Sequence, residues 1–350
     1  MNARALPPAT VRTADLRDAG ECARIIAFVE AQPDATPFHL PQWSIATAKG
    51  CGQVAQYLVA DRGDAGIVGV LPLTEVHSPL FGRALVSTGF GVDGGILGEG
   101  DAALAQAAWR LAEQLSCPTL ELRGGGDPGE GFVRNTASYV GFARDLAPDD
   151  DAELLAIPRK QRAEVRRALG FDLEVTIDAD PRDHYTVYAQ SVRNLGTPVF
   201  PASLFRAVLV AFGDAADILT VRHQGRAVAS VLSLYWRGTV YPYWGGGTAE
   251  ARALRANDRM YFALMGHARA RGCTRFDFGR SKTGTGAAAF KKNWGFEAIP
   301  RTYYTRTADG SAPREINPLS PKYRLQVRAW SKLPLPIANR LGPWIARGLG

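Results

Sequence analysis

The chain has 350 residues, 46% hydrophobic and 21% charged, a composition that describes a globular protein and excludes a disordered one. No run of 18 apolar residues occurs, and the opening MNARALPPATVRTADL has no apolar core, so neither a bilayer-spanning helix nor a secretory signal is expected and the setting is expected to be cytoplasmic. The net charge of +7 is local: six of the 41 basic residues (Lys322, Arg324, Arg328, Lys332, Arg340, Arg347) follow Ile316 with none of the 34 acids, so the rest of the chain is nearly neutral and a surface that coats nucleic acid is disfavoured.

Along the chain, YLVADRGDAGIVGVLPLTEV reads as strand, turn and strand, and ALVSTGF as a further strand leading into GVDGGILGEGD. A helix follows in DAALAQAAWRLAEQLS, with Leu104, Ala108, Leu111 and Leu115 on one face and Asp101 as N-cap, and the strand TLELRGG closes the unit. The acidic break Ala147-Pro148-Asp149-Asp150-Asp151 marks a join. Beyond it, IPRKQRAEVRRALG predicts a helix with Pro158 in its first turn and Gly170 past its end. Its basic residues suit either a solvated face or a phosphate-bearing ligand. PRDHYTVYAQSVRNLG predicts another helix, and the prolines of TPVFPASLF force an extended approach to the next.

The same plan then recurs. DILTVRHQGRAVASVLSLYWRGTVYPYWGGG predicts three strands with turns at Gln224-Gly225 and Arg237-Gly238, followed by a helix from about Ala253 to Arg271 and the strand TRFDFGR. Gly94-Gly95 matches Gly246-Gly247 at an offset of 152, and Cys117 with Leu120-Glu121-Leu122 matches Cys273 with Phe276-Asp277-Phe278 at 156. Ordered matches at a nearly constant offset predict a tandem duplication of a mixed α/β unit. The four scattered cysteines and five unpaired histidines give no metal-ligand spacing, and no G-x-S-x-G elbow is present.

Chemistry concentrates in FDFGRSKTGTGAAAFKKNWGF. Three of the seven lysines (Lys282, Lys291, Lys292) lie in these 21 residues with Arg280, Ser281 and one acid, Asp277. The stretch is not a P-loop, because Thr285 stands where the lysine must follow the second glycine. A loop and helix start of this kind favour an anion, with Lys282 or Lys291 to hold it. Arg193 and Asn194 end a helix, where they either cap it or position a substrate. In VYPYWGGG a regular strand puts Tyr241 and Tyr243 on one face and Trp244 on the other, as core or as a ligand wall. Asn257 and Asp258 fall in the first turn of the long helix, as caps or as site residues.

SVRNLGTPVFP, YPYWGGG, ANDRMY, G-C-x-x-F-D-F-G-R-S-K-x-G-T-G and F-K-K-N-W-G-F together resemble the FemAB-like proteins associated with the PEP-CTERM/exosortase system, with P-x-K-Q-R as a broader mark. That group is similar to the Fem-type aminoacyltransferases and to acyltransferases with tandem GNAT-like domains. The resemblance implies an α/β (mixed α+β) fold of two GNAT-like domains, each a mixed sheet flanked by helices. We place them at residues 1–150 and 151–310, with a basic amphipathic tail at 311–350. It implies transfer of an acyl or aminoacyl group to an amine of a cell-envelope or exopolysaccharide precursor, small or lipid-linked, at a cleft between the domains and mainly on the second. No tightly bound cofactor or metal is implied, and acyl-CoA or aminoacyl-tRNA is the donor; the chain lacks both a coiled-coil insertion and a Q/R-x-x-G-x-G/A loop, which leaves both donors open.

On this reading Asp277 and Asp258 are candidate bases, Lys291 and Lys282 hold an anion or oxyanion, and Arg193, Asn194, Tyr243, Trp244, Asn257, Arg280, Ser281 and Lys292 bind substrate. A non-catalytic glycan or nucleotide-sugar binder is the alternative. The tail, with Tyr323, Val327, Trp330 and Leu333 or Leu335 as its apolar side, is expected either to strap the body or to bind an anionic inner membrane through residues 316–350.

Overall fold

The computed structural model describes residues 9–63, 66–78, 82–310 and 321–348. In chain order the first unit contains β1 (Thr10–Thr13), α1 (Ala19–Ala31), α2 (Pro41–Cys51), β2 (Val54–Asp61), β3 (Ile67–Ser78), β4 (Gly82–Ser87), β5 (Leu97–Gly98), α3 (Asp101–Gln114), β6 (Thr119–Arg123) and β7 (Val133–Asn135). The second follows with β8 (Tyr139–Asp145), α4 (Asp150–Ala156), α5 (Arg159–Leu169), β9 (Glu174–Asp178), α6 (Arg182–Asn194), α7 (Ala202–Phe212), β10 (Ala216–His223), β11 (Arg226–Trp236), β12 (Thr239–Gly247), α8 (Ala256–Ala270), β13 (Arg275–Lys282), α9 (Gly286–Asn293) and β14 (Ile299–Pro300). β15 (Tyr303–Thr307) returns to the first unit, and α10 (Pro321–Ser331) and α11 (Leu335–Ala346) to the second. No described helix is long and apolar enough to cross a membrane.

Each unit is a mixed sheet with helices, and the plan is duplicated. The first sheet runs β1-β2-β3-β4-β6-β15-β7 with β5 beside β3, and the second runs β14-β8-β13-β12-β11-β10-β9. The parallel pairs correspond: Leu85 faces Leu120 in the first sheet, and Val240 faces Phe276 in the second. The meander turns form as their residues dictate. Gln224 and Gly225 take φ 50° and 75°, Arg237 and Gly238 take 49° and 70°, the two left-handed positions of a tight hairpin turn. The long helix ends at Gly272, whose φ of 81° lets Cys273 N–H bond back to the Ala268 carbonyl.

The sequence boundaries need correction. The sheets take their outer strands from beyond the stretches 1–150 and 151–310: β8 pairs with β13 of the second sheet, and β15 pairs with β6 of the first. Both β6 and β13 carry a parallel partner on one side only, so an antiparallel strand on the other removes an open edge. α3 begins after Gly100 in a left-handed conformation, so Asp101 is its first residue rather than its cap.

The cores are separate. Leu58, Leu71, Leu85, Leu104 and Leu120 centre the first, and Phe142, Val231, Met260, Phe276, Phe278 and Trp294 the second.

Candidate active site in the second unit

β12 and β13 run parallel but pair only at Thr239–Arg275 and Val240–Phe276. Just past that point each strand contains one residue too many. Pro242 and Trp244 face consecutive residues Ser233 and Leu232 of β11, so Tyr243 is extra. Asp277 and Arg280 face Ala143 and Gly141 of β8, and Gly279 takes φ 66°. A bulge bends its strand and re-aims its side chains. Two bulges at one level end the ladder between the strands and make this the place where the sheet parts.

Lys291 fixes the second bulge. Its Nζ donates to the carbonyls of Phe278 (2.6 Å), Arg280 (3.0 Å) and Gly279 (3.4 Å). It lies 5.5 and 5.7 Å from the ring centres of Phe142 and Phe278. Burial draws its pKa down to about 8, against the pull of Asp277. The expectation that this amine faces an anion is thus corrected: main-chain oxygens engage it. Asp277 Oδ1 accepts from Gly279 N–H at 2.7 Å and Oδ2 lies 4.0 Å from Arg301 Nη2, while burial raises its pKa. Arg280 lies over the Tyr139 ring at 4.6 Å, with Lys282 at 5.9 Å. Ser281 is buried opposite Val140, and Lys292 is exposed. The α9 N-terminus is closed by Thr285 Oγ1, which accepts from Ala288 N–H.

A second group forms at the start of α8. Arg255 caps this helix at φ 53°, a strained position for a residue with a side chain, and its Nε donates to Glu164 of α5 at 2.5 Å. Asp258 is buried in the first turn and accepts from Gln161 Nε2 at 2.6 Å. Burial raises its carboxyl to about 6 despite that bond. The basic run of α5 thus contains one buried residue, Gln161, and one half-buried ion-pair partner, Glu164, that sequence reading passed over. P-x-K-Q-R was the available signal.

Asp258 gives a pH test. Its folded pKa of about 6 exceeds the ordinary 3.8, so between these values the folded chain retains a proton that the unfolded chain has released. Stability from this group therefore falls as pH rises through that window, reaching a penalty of up to about 3 kcal/mol above it. Asp258→Asn keeps the acceptor for Gln161 and removes the charge. It is expected to be more stable than the parent at neutral pH and to show no gain near pH 3.5. Urea unfolding at both values measures this, and equal stabilities at neutral pH would show that the carboxylate carries no burial penalty.

Three glycines let helices close on the end of β12. A Cβ on Gly246 would lie 2.4 Å from Ser191 Oγ of α6, and one on Gly247 would lie 2.6 Å from Asn257 Oδ1 of α8. Ser191 Oγ also accepts from Gly247 N–H at 3.3 Å. The Tyr243 bulge breaks the regular alternation expected for this strand. Trp244 is buried against Phe205 of α7, ring centres 5.2 Å apart, with Tyr243 edge-on at 4.7 Å. Arg193 Nη1 donates to Ser331 O at the end of α10 (3.0 Å), and Asn194 is exposed beside it.

Asp277, Arg280 and Lys291 therefore come together at the bulge, whereas Asp258 and Asn257 gather on α8 and Arg193 with Asn194 at the foot of α6. Tyr261 connects the first two groups. Its ring lies 4.8 Å from Phe278, and its hydroxyl would stand 3.0 Å from a Cβ on Gly245.

The corresponding place in the first unit is filled. Arg123, two residues beyond Glu121, is buried, bonds Glu121 (2.7 Å) and donates to the carbonyls of Thr88 (3.2 Å) and Gly91 (3.1 Å). Ile96 and Gly125 form a further parallel bridge, and a Cβ on Gly95 would lie 2.0 Å from Gly124 O.

Residues 158–292 match the family described as acetyltransferase (GNAT) domain. No curated protein sequence matches the chain. FemX is similar in fold, with TM-score 0.63 and 17% identity over 81% of this chain and 95% of its own. The tandem GNAT protein of the clavulanic acid biosynthesis pathway gives 0.54 and 16% over 87% and 100%. L-PGS from Bacillus licheniformis gives 0.51 and 14% over 91% and 98%. The chain carries a GNAT acyltransferase domain over residues 158–292, in an overall fold similar to those of the tandem GNAT protein and of FemX.

Proposed function

We propose that the second unit transfers an acyl or aminoacyl group from an activated ester or thioester to an amine of a cell-envelope or exopolysaccharide precursor. The observation that carries this reading is the double bulge that parts β12 from β13 beside Lys291 and Asp277. The acceptor amine attacks the donor carbonyl, the carbonyl oxygen takes up negative charge and the amine loses a proton; as the carbonyl reforms, the donor's carbon–oxygen or carbon–sulfur bond breaks and its alcohol or thiol leaves, protonated. Asp258 suits the proton-accepting role better than Asp277. Its carboxyl, held near 6, accepts one bond from Gln161, whereas Asp277 is held by Gly279 N–H and faces Arg301. Lys291 acts through the main chain by holding the bulge in shape. The exosortase-associated motifs of the sequence make envelope amines the first acceptors to try.

The test presents acetyl-CoA and aminoacyl-tRNA separately, with amino-sugar and lipid-linked amine acceptors, and follows acceptor mass. Transfer from one donor class is expected, reduced at least a hundredfold, or about 2.7 kcal/mol, by Asp258→Asn. A folded protein that modifies no amine with either donor would overturn the proposal.

A further inference from the structure

The two faces of α11 are the reverse of an ordinary surface helix. Its inward residues are small: Ala338, Gly342 and Ala346, at spacing i, i+4 and i+8, are buried. Gly342 allows close contact, since a Cβ there would lie 3.0 Å from Val199. Its water-facing residues are large and apolar. Ile337, Leu341 and Trp344, at i, i+4 and i+7, are 46%, 44% and 44% exposed. Arg340 falls on that same stripe by helical spacing and is exposed.

The sequence had placed the apolar side of the tail elsewhere. Val327 of α10 in fact turns inward, where a Cβ on Gly196 would meet its Cγ1 at 2.4 Å. Residues 316–320 and the side chains of Lys322, Tyr323 and Arg324 lie outside the described residues.

We propose that the stripe Ile337, Arg340, Leu341 and Trp344 docks on an anionic membrane surface. Charge complementarity selects this occupant. No acid occurs from Ile316 to Gly350, while Arg328 of α10, Lys332 of the turn after it and Arg340 of α11 are exposed. An apolar stripe with a tryptophan and an arginine suits the headgroup layer, where indole and guanidinium stay hydrated and the aliphatic parts leave water. With 12 residues α11 is too short to span, so it lies in the surface plane. This surface is independent of the acyl donor and of the transfer reaction itself.

The test is flotation of the full chain with vesicles of phosphatidylcholine alone or with about a third phosphatidylglycerol, at about 0.1 M and 0.5 M salt. Anionic vesicles are expected to carry at least tenfold more protein than neutral ones, with release at high salt. Ile337→Ser, Leu341→Ser and Trp344→Ser combined is expected to lose at least tenfold of that binding with an unchanged melting temperature, because all three side chains already face water. Arg340→Gln is expected to weaken binding severalfold. Absence of the full chain from anionic vesicles would overturn the proposal, as would undiminished binding by the triple variant. A dimer in light scattering that the triple variant dissociates, without flotation, would assign the stripe to a second copy of the chain instead.

Discussion

Lys291→Met is expected to reduce transfer at least a hundredfold while lowering stability by only about 1–3 kcal/mol. Methionine keeps an unbranched side chain, one atom shorter than lysine, but leaves the carbonyls of Phe278, Arg280 and Gly279 without their shared donor. Each charge-assisted bond stabilises by about 1.5–3 kcal/mol, yet the same change removes a cation that is unfavourably buried, so the losses do not add. The bulge loses its shape before the fold loses its stability. Lys291→Arg is not expected to rescue activity, because a planar guanidinium cannot converge on three carbonyls as a tetrahedral ammonium does.

The charge on Lys291 also sets a pH dependence. Its folded pKa of about 8 lies below the ordinary 10.5, so between these values the unfolded chain binds more protons. Its contribution to stability therefore rises with pH across that window and is lost as pH falls through about 8. Activity that depends on the charged clamp should instead decline above pH 8. Nitrogen-15 NMR of the lysine amines measures the titration, and Asp277→Asn should move it lower still by removing a favourable charge. Activity of Lys291→Met within threefold of the parent would remove the bulge from the mechanism.

The duplication was legible because turn and packing constraints leave marks in the chain. Gln224-Gly225 and Arg237-Gly238 occupy left-handed positions, and Cys117 and Cys273 precede equivalent buried strands. The strand exchange was not legible. Tyr139–Asp145 has no pattern that names β13 as its partner, since pairing is decided by which sheet edge is open. Nor was the character of the site. A bulge adds one residue without altering composition, so Tyr243 read as part of a regular strand. The partners of Lys291 are carbonyls, which every residue possesses, so the sequence could show that a lysine was present but not what held it. Gln161 and Glu164 were hidden by the arginines around them, whose charge suggested a ligand. In the fold Gln161 is buried against Asp258 in the first turn of α8, and Glu164 reaches Arg255 just before that turn.

Trp294→Ala should destabilise the second unit by about 3–5 kcal/mol, the ordinary cost of removing a large aromatic side chain from a packed core. Trp294 has no exposed surface and lies 6.2 Å from both Tyr261 and Phe290 by ring centre. It ends α9, and Gly295 follows at φ 84°, so the indole holds the helix that presents Lys291. Its buried Nε1 has no hydrogen-bond partner among the described residues. Trp294→Phe therefore removes volume but no polar contact, and is expected to recover more than half of the lost stability. Thermal and urea unfolding of both variants measure this. Activity should follow the same order as stability, because α9 and the β13 bulge are joined through Lys291. A melting temperature unchanged in Trp294→Ala would place the indole outside the core and break the link from α9 packing to the shape of the site.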